Sequence, residues 1–185
     1  MDPETKQKPS AVAELFETFI VSIVLLLIVY LVLAFPEVVF GASMEPTLKT
    51  GDRILVERVT KRFNGLQRGD VVVLHPPGDD DVDYVKRVVG IPGDIFKIDD
   101  CKVYITRAGE KYELDEPYLA LETCTSGGDS IKEGRALKLE EDEYVVLGDN
   151  RTRSVDSRSF GHITEDRVLG KVLVRFWPLN KLNVF

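Results

Sequence analysis

Seventeen consecutive residues, Phe19 to Phe35, carry no charge, and few soluble folds can absorb such a run. As a helix it would span about 25 Å at roughly 1.5 Å per residue, near the lower limit for a hydrocarbon core of about 30 Å. Leu15 and Phe16 before it, and Val38, Val39 and Phe40 after it, extend the apolar character. Leu25 to Val29 leaves no polar face, which argues against a half-exposed helix on a soluble core. A removable secretion signal would need an apolar region of only about 7 to 15 residues and small residues before the cut. Cleavage after Ala42 would place Phe40 three residues back, and cleavage after Ala34 would place Pro36 just beyond the bond. The run therefore reads as a retained membrane anchor. Its orientation is not set by charge, because the short tail offers only Lys6 and Lys8.

The remaining chain is long enough for one folded domain. The formal charge of -7 repels phosphate backbones and argues against nucleic-acid binding. Only His75 and His162 are available, which disfavours a histidine-rich metal centre, and hydrolytic chemistry would have to use another base. Cys101 and Cys124, with 22 residues between them, lack the close spacing of a zinc or redox motif. They could form one disulfide or stay as two thiols.

Beyond the apolar run, Gly-Asp pairs recur at Gly51-Asp52, Gly69-Asp70, Gly93-Asp94 and Gly148-Asp149. The first three lead directly into β-rich runs, Arg53 to Val59, Val71 to Leu74 and Ile95 to Ile98, and Tyr144 to Leu147 precedes the fourth. Val82 to Val89 and Val168 to Phe176 add further strands. Short strands and tight turns predict a mainly β, antiparallel domain. Between Asp99 and Asp142 the composition shifts to charge and turn residues, which suggests a small inserted β subdomain.

Ser43, in Gly41-Ala42-Ser43-Met44-Glu45-Pro46, is a candidate nucleophile, although most isolated serines merely cap helices or face solvent. No G-x-S-x-G elbow is present, and neither histidine sits in a triad setting. Lys86 is the better partner. Alternation in Val82 to Val89 puts it on one face with Tyr84 and Val88, opposite Val85, Arg87 and Val89, so apolar residues lie on both faces. A lysine there either snorkels to solvent or loses its charge. At an ordinary pKa near 10.4 only about one lysine in 2,500 is neutral at pH 7, whereas burial can lower that value by about 3 to 5 units. A neutral Lys86 could deprotonate Ser43. A third polar block, Gly148 to Gly161, contains Ser154, Asp156 and Arg158. It reads either as a turn with a local ion pair or as the support around a site.

Together, Ser43-Met44-Glu45-Pro46-Thr47-Leu48, Tyr84-Val85-Lys86-Arg87-Val88-Val89-Gly90 and Gly148-Asp149-Asn150 through Asp156-Ser157-Arg158 resemble the three boxes of bacterial type I signal peptidase, in the family's order. The resemblance implies a Ser/Lys-dyad serine endopeptidase that removes signal peptides from exported preproteins and needs no metal or organic cofactor. Ser43 would be the nucleophile and Lys86 the general base. Ser154 would hydrogen-bond and orient the amine, Asp156 and Arg158 would form a supporting ion pair, and the Ser43 N–H would be one oxyanion donor. Gly41, Ala42, Asp83 and Tyr84 would hold the substrate as an added strand. Some family members carry a serine at the position of Gly41 that completes the oxyanion hole, so the second donor here is unassigned.

The resemblance also implies a plasma-membrane, single-pass monomer. Residues 1–18 would form a cytoplasmic tail, 19–36 the anchor, 37–98 with 143–185 the extracytoplasmic catalytic domain, and 99–142 the insertion. Two rivals remain: a membrane-tethered module that binds peptides without cutting them, and a self-cleaving regulator, although nothing before Ser43 resembles a DNA-binding domain.

Overall fold

The computed structural model describes residues 11–59 and 65–185, with backbone alone for 29–32. The expected tail lies outside the described residues up to residue 10. The chain divides after Phe35 into a helical unit and a β unit.

Helix α1 (Ala11–Leu33) contains neither glycine nor proline, so nothing interrupts its hydrogen-bond ladder. It starts ahead of the uncharged run and ends two residues before Phe35. The side chains from 11 through 28 are all exposed, and the 18-residue stretch Ala11–Ile28 has a mean hydropathy of 2.3. By length and composition this helix can cross a membrane. Two of its hydroxyls bond within the helix: Thr18 donates to the Glu14 carbonyl and Ser22 to that of Thr18, each at 2.8 Å.

The chain then becomes extended in β1 (Ala34–Val38), where Pro36 suits an edge strand because it lacks a donor. Next come β2 (Arg53–Glu57), β3 (Val71–Leu74), β4 (Tyr84–Gly90), β5 (Ile95–Asp99), β6 (Lys102–Arg107), β7 (Glu110–Glu113), β8 (Ala136–Lys138) and β9 (Glu143–Leu147). The four-residue helix α2 (Ser157–Phe160) precedes β10 (Ile163–Thr164), β11 (Val168–Trp177) and β12 (Asn183–Val184). Among the described residues the main sheet runs in the order β1-β2-β11-β3-β4-β9-β10, with β12 added to β11, and a second sheet runs β7-β6-β5-β8. The register pairs in both sheets are antiparallel.

The expected strands are present with ends shifted by one or two residues. β4 starts at Tyr84 rather than Val82 because its neighbour β3 ends at the Leu74 partner of Tyr84. The second sheet begins at Ile95, before the expected Asp99, and its core is continuous with the main sheet: Phe96, Ile98, Val103 and Ile105 pack with Val89, Val145 and Leu147. On the other face of β4, Val88 packs with Val72, Leu74, Tyr144 and Val146. β4 is therefore covered on both faces, as its sequence requires. Each such buried aliphatic side chain contributes about 1.5–3 kcal/mol.

Three of the Gly-Asp pairs build one repeated device. Gly51, Gly69 and Gly93 adopt φ of 90, 96 and 84°, which only glycine takes without strain. The following Asp52, Asp70 and Asp94 each donate their N–H to the carbonyl three residues back and accept that residue's N–H at their carboxylate, from Lys49, Gln67 and Ile91. Each carboxylate then reaches a distant cation: Arg175 for Asp52, Lys171 for Asp70, and Arg68 and Arg107 for Asp94. The turns thus anchor strand ends to one another. The fourth pair, at Gly148, serves another purpose.

Candidate active site

Ser43 sits on an irregular turn between β1 and β2, held from beneath by Met44 and Leu48, which are 1% and 0% exposed. Thr47 donates to Asp149, Arg175 Nη1 donates to the Thr47 carbonyl at 2.6 Å, and the Asn150 N–H donates to the Ser43 carbonyl at 2.9 Å. Both flanks of the serine are thereby fixed.

Lys86 reaches it from β4. Its Nζ lies 3.0 Å from Ser43 Oγ and 2.9 Å from the Val85 carbonyl, and 4.8 Å from the centre of the Tyr84 ring. The residue is 3% exposed. Burial pushes its pKa down from 10.5 to about 8, against the opposing pull of Asp156 and Asp149. At pH 7 about one amine in ten is then neutral.

Both nearby carboxylates are committed elsewhere. Asp149 takes a bidentate pair from Arg87, Nε to Oδ1 at 2.9 Å and Nη2 to Oδ2 at 2.7 Å, and Arg87 Nη1 donates to the Gly69 carbonyl. Asp156 receives Arg158 Nε and Nη2, each at 2.8 Å, together with the Gly148 N–H at 3.0 Å. Burial alone would raise the Asp156 pKa, but Arg158, the Gly148 N–H and the neighbouring Ser154 hydroxyl hold it below the ordinary carboxylate value. Neither carboxylate depends on Lys86 for its counter-charge, which leaves that amine free to lose its proton.

Ser154 departs from expectation. The Lys86 amine bonds Ser43 and Val85, whereas the Ser154 hydroxyl is buried beside Gly148 and completes no full hydrogen bond; its proximity to Asp156 falls short of good geometry. Gly148 is the reason for that closeness. A Cβ there would meet Ser154 Oγ at 2.2 Å and the Ser43 carbonyl at 2.5 Å, so only glycine lets the two segments converge.

Beside the dyad lies a groove of about 300 Å³ lined by Phe40, Gly41, Ala42, Asp83, Tyr84 and Val85 among others. The strand register explains it. Val88 exchanges its N–H and carbonyl with Asp70 and Gly69 on the β3 side, so Val85 and Asp83 turn theirs the other way. β9 pairs only with Arg87 through Gly90, which leaves that edge open at its start. Asp83 Oδ1 lies 3.1 Å from His75 Nδ1 at the rim.

The sequence family described as signal peptidase, peptidase S26 matches residues 12–177. The chain belongs to that family. Among the relatives of this signal peptidase, signal peptidase IB of Staphylococcus aureus is 40% identical over 174 residues, covering 88% of each chain. A probable signal peptidase I-2 of Synechocystis is 31% identical over 176 residues, covering 92% of this chain and 76% of that protein. A crystal structure of a signal peptidase I from Enterococcus faecalis aligns at 28% identity with a TM-score of 0.46, covering 57% of this chain and 95% of that one.

Two features of this signal peptidase's site escaped the reading from sequence. The Arg87–Asp149 clamp joins strand β4 to the third block across 62 positions, and Arg151 reaches Glu116 and Thr125 on the second-sheet side. Both arginines stand within or beside the quoted blocks, but nothing in their spacing names a partner. Cys101 and Cys124 form a disulfide, with Cα atoms 4.4 Å apart.

Proposed function

We propose that this chain is a membrane-anchored signal peptidase I that cleaves signal peptides from exported preproteins with Ser43 as nucleophile and Lys86 as general base. The observation that carries this reading is the 3.0 Å approach of a buried, low-pKa amine to the Ser43 hydroxyl. Neutral Lys86 takes the hydroxyl proton as Oγ attacks the scissile carbonyl, and the resulting ammonium returns a proton to the departing amine. The Ser43 N–H supplies one oxyanion donor. Asp156 with Arg158 fixes the loop carrying Ser154.

The substrate lies as an extended strand against the open edge at Asp83 and Val85, with Gly41 and Ala42 opposite and Tyr84 beside it, leaving room for small side chains next to the bond. Helix α1 anchors the enzyme in the bilayer, and seven residues separate Phe35 from Ser43. The N-terminus lies in the cytoplasm and the β unit outside. A disulfide in the β unit supports that orientation, because such bonds persist in oxidising compartments. The dyad and its supports come from one chain, so a monomer suffices.

Ser43→Ala and Lys86→Ala should each abolish cleavage of a preprotein while preserving the fold; normal processing by either variant would refute the mechanism. Rate should climb about tenfold per pH unit below pH 8 and level off above it, since only the neutral amine acts.

A further inference from the structure

A second groove, of about 500 Å³, opens beside the residues that follow the nucleophile. One wall is Glu45 and Pro46, two and three residues after Ser43; the other is the loop through Glu122 to Cys124; the floor includes Asn150 and Thr152. The floor is tied to the nucleophile, because the Asn150 N–H holds the Ser43 carbonyl. The far wall is pinned through the Cys101–Cys124 disulfide, and Glu122 adopts φ of 59°, a conformation L residues seldom take.

The groove has an uncompensated charge. The ionic groups of its floor, Asp149 and Arg151, are neutralised by Arg87 and Glu116. Among the described residues neither Glu45 nor Glu122 forms an ion pair. Two carboxylates therefore line a groove that begins two residues after Ser43 and shares no lining residue with the groove along the β4 edge.

We propose that this groove receives the residues that follow the scissile bond, and that Glu45 and Glu122 make the enzyme discriminate against acidic residues there. The inference rests on the Ser43/Lys86 endopeptidase reading. A peptide laid along β4 with its scissile carbonyl at Ser43 has to leave past Glu45, and the groove is the channel open to it. An acidic side chain there would meet two like charges, whereas a neutral or basic one would not.

The test uses the full chain in detergent and preprotein-derived peptides sharing one Ala-x-Ala cleavage site. Asn, Asp or Lys is placed in turn at each of the first three positions after the bond. The expected result is a kcat/KM ratio of Asn over Asp of about 5 to 10 at one or more positions, shrinking as ionic strength rises from about 0.05 to about 0.5 M. In the double variant Glu45→Gln/Glu122→Gln the ratio should fall to within about twofold. The ratio is internal to each enzyme, so a general loss of activity cancels. A wild-type ratio near one at every position, or one unaffected by both salt and the double variant, would overturn the proposal while leaving the protease intact. Failure of the wild type to cleave any peptide would overturn the endopeptidase reading itself.

Discussion

Lys86 is held where its charge is unwelcome, and that has a measurable thermodynamic side. The drop from 10.5 to about 8 corresponds to about 3 kcal/mol, at roughly 1.36 kcal/mol per unit. Because the native amine has the lower pKa, the unfolded chain binds more protons between about pH 8 and 10.5, and stability rises with pH across that window. Below pH 8 the full cost is present. Lys86→Met should therefore destroy activity yet stabilise the fold by about 1–3 kcal/mol at pH 7, with the gain fading toward pH 10.5; urea denaturation at several pH values measures it, and a lower midpoint at pH 7 would contradict the argument. Gly148→Ala is the opposite case. Its Cβ would press on both Ser154 and the Ser43 carbonyl, so kcat should drop on the order of 100-fold or more in a folded protein. At this scale the sequence was informative where periodicity applies: alternation alone put Lys86 on the Tyr84 face of a strand covered on both sides. The family resemblance put the Ser154 hydroxyl on the Lys86 amine, whereas it turns toward Gly148 because of a close approach that spacing does not encode.

Elements in this chain are held together by a few long-range ties. The Asp149 carboxylate is fully buried between Arg87 and Thr47, so Asp149→Ala leaves Arg87 uncompensated and should destabilise by about 3–5 kcal/mol, measured by chemical denaturation. The disulfide closes the segment from Cys101 to Cys124, and the chain-entropy argument gives about 3 kcal/mol for a loop of that length. Reduction should lower the thermal midpoint by several degrees, and an unchanged midpoint would mean that the second sheet holds that loop unaided. The strands themselves were readable from turn chemistry, since Gly51, Gly69 and Gly93 mark them and the paired aspartates lock them. Their partners were not: Asp52 meets Arg175 across 123 positions, and local sequence pattern carries no information on such distances. The same limit left the two cysteines undecided between bond and free thiols.

For the whole molecule, the division after Phe35 predicts separable properties. A chain lacking residues 1–33 should keep its β core, because the hydrophobic clusters of the β unit are built from its own residues, Leu66 through Val168. Such a fragment should cleave soluble peptides, lose co-sedimentation with lipid vesicles, and unfold within a few degrees of the parent. Strong loss of thermal stability would show that the helix supports the β unit. The anchor and the β class were legible from composition and turn grammar; the shared core beneath both sheets was not, because it brings β5 and β6 against β9, about 40 positions later in the chain. The vacancy where β9 stops short beside Asp83 and Val85 has a wider consequence. A slot that grips main-chain amides treats clients with unrelated sequences alike, so one such protease can serve a varied clientele, and discrimination falls to the few side chains nearest the cut.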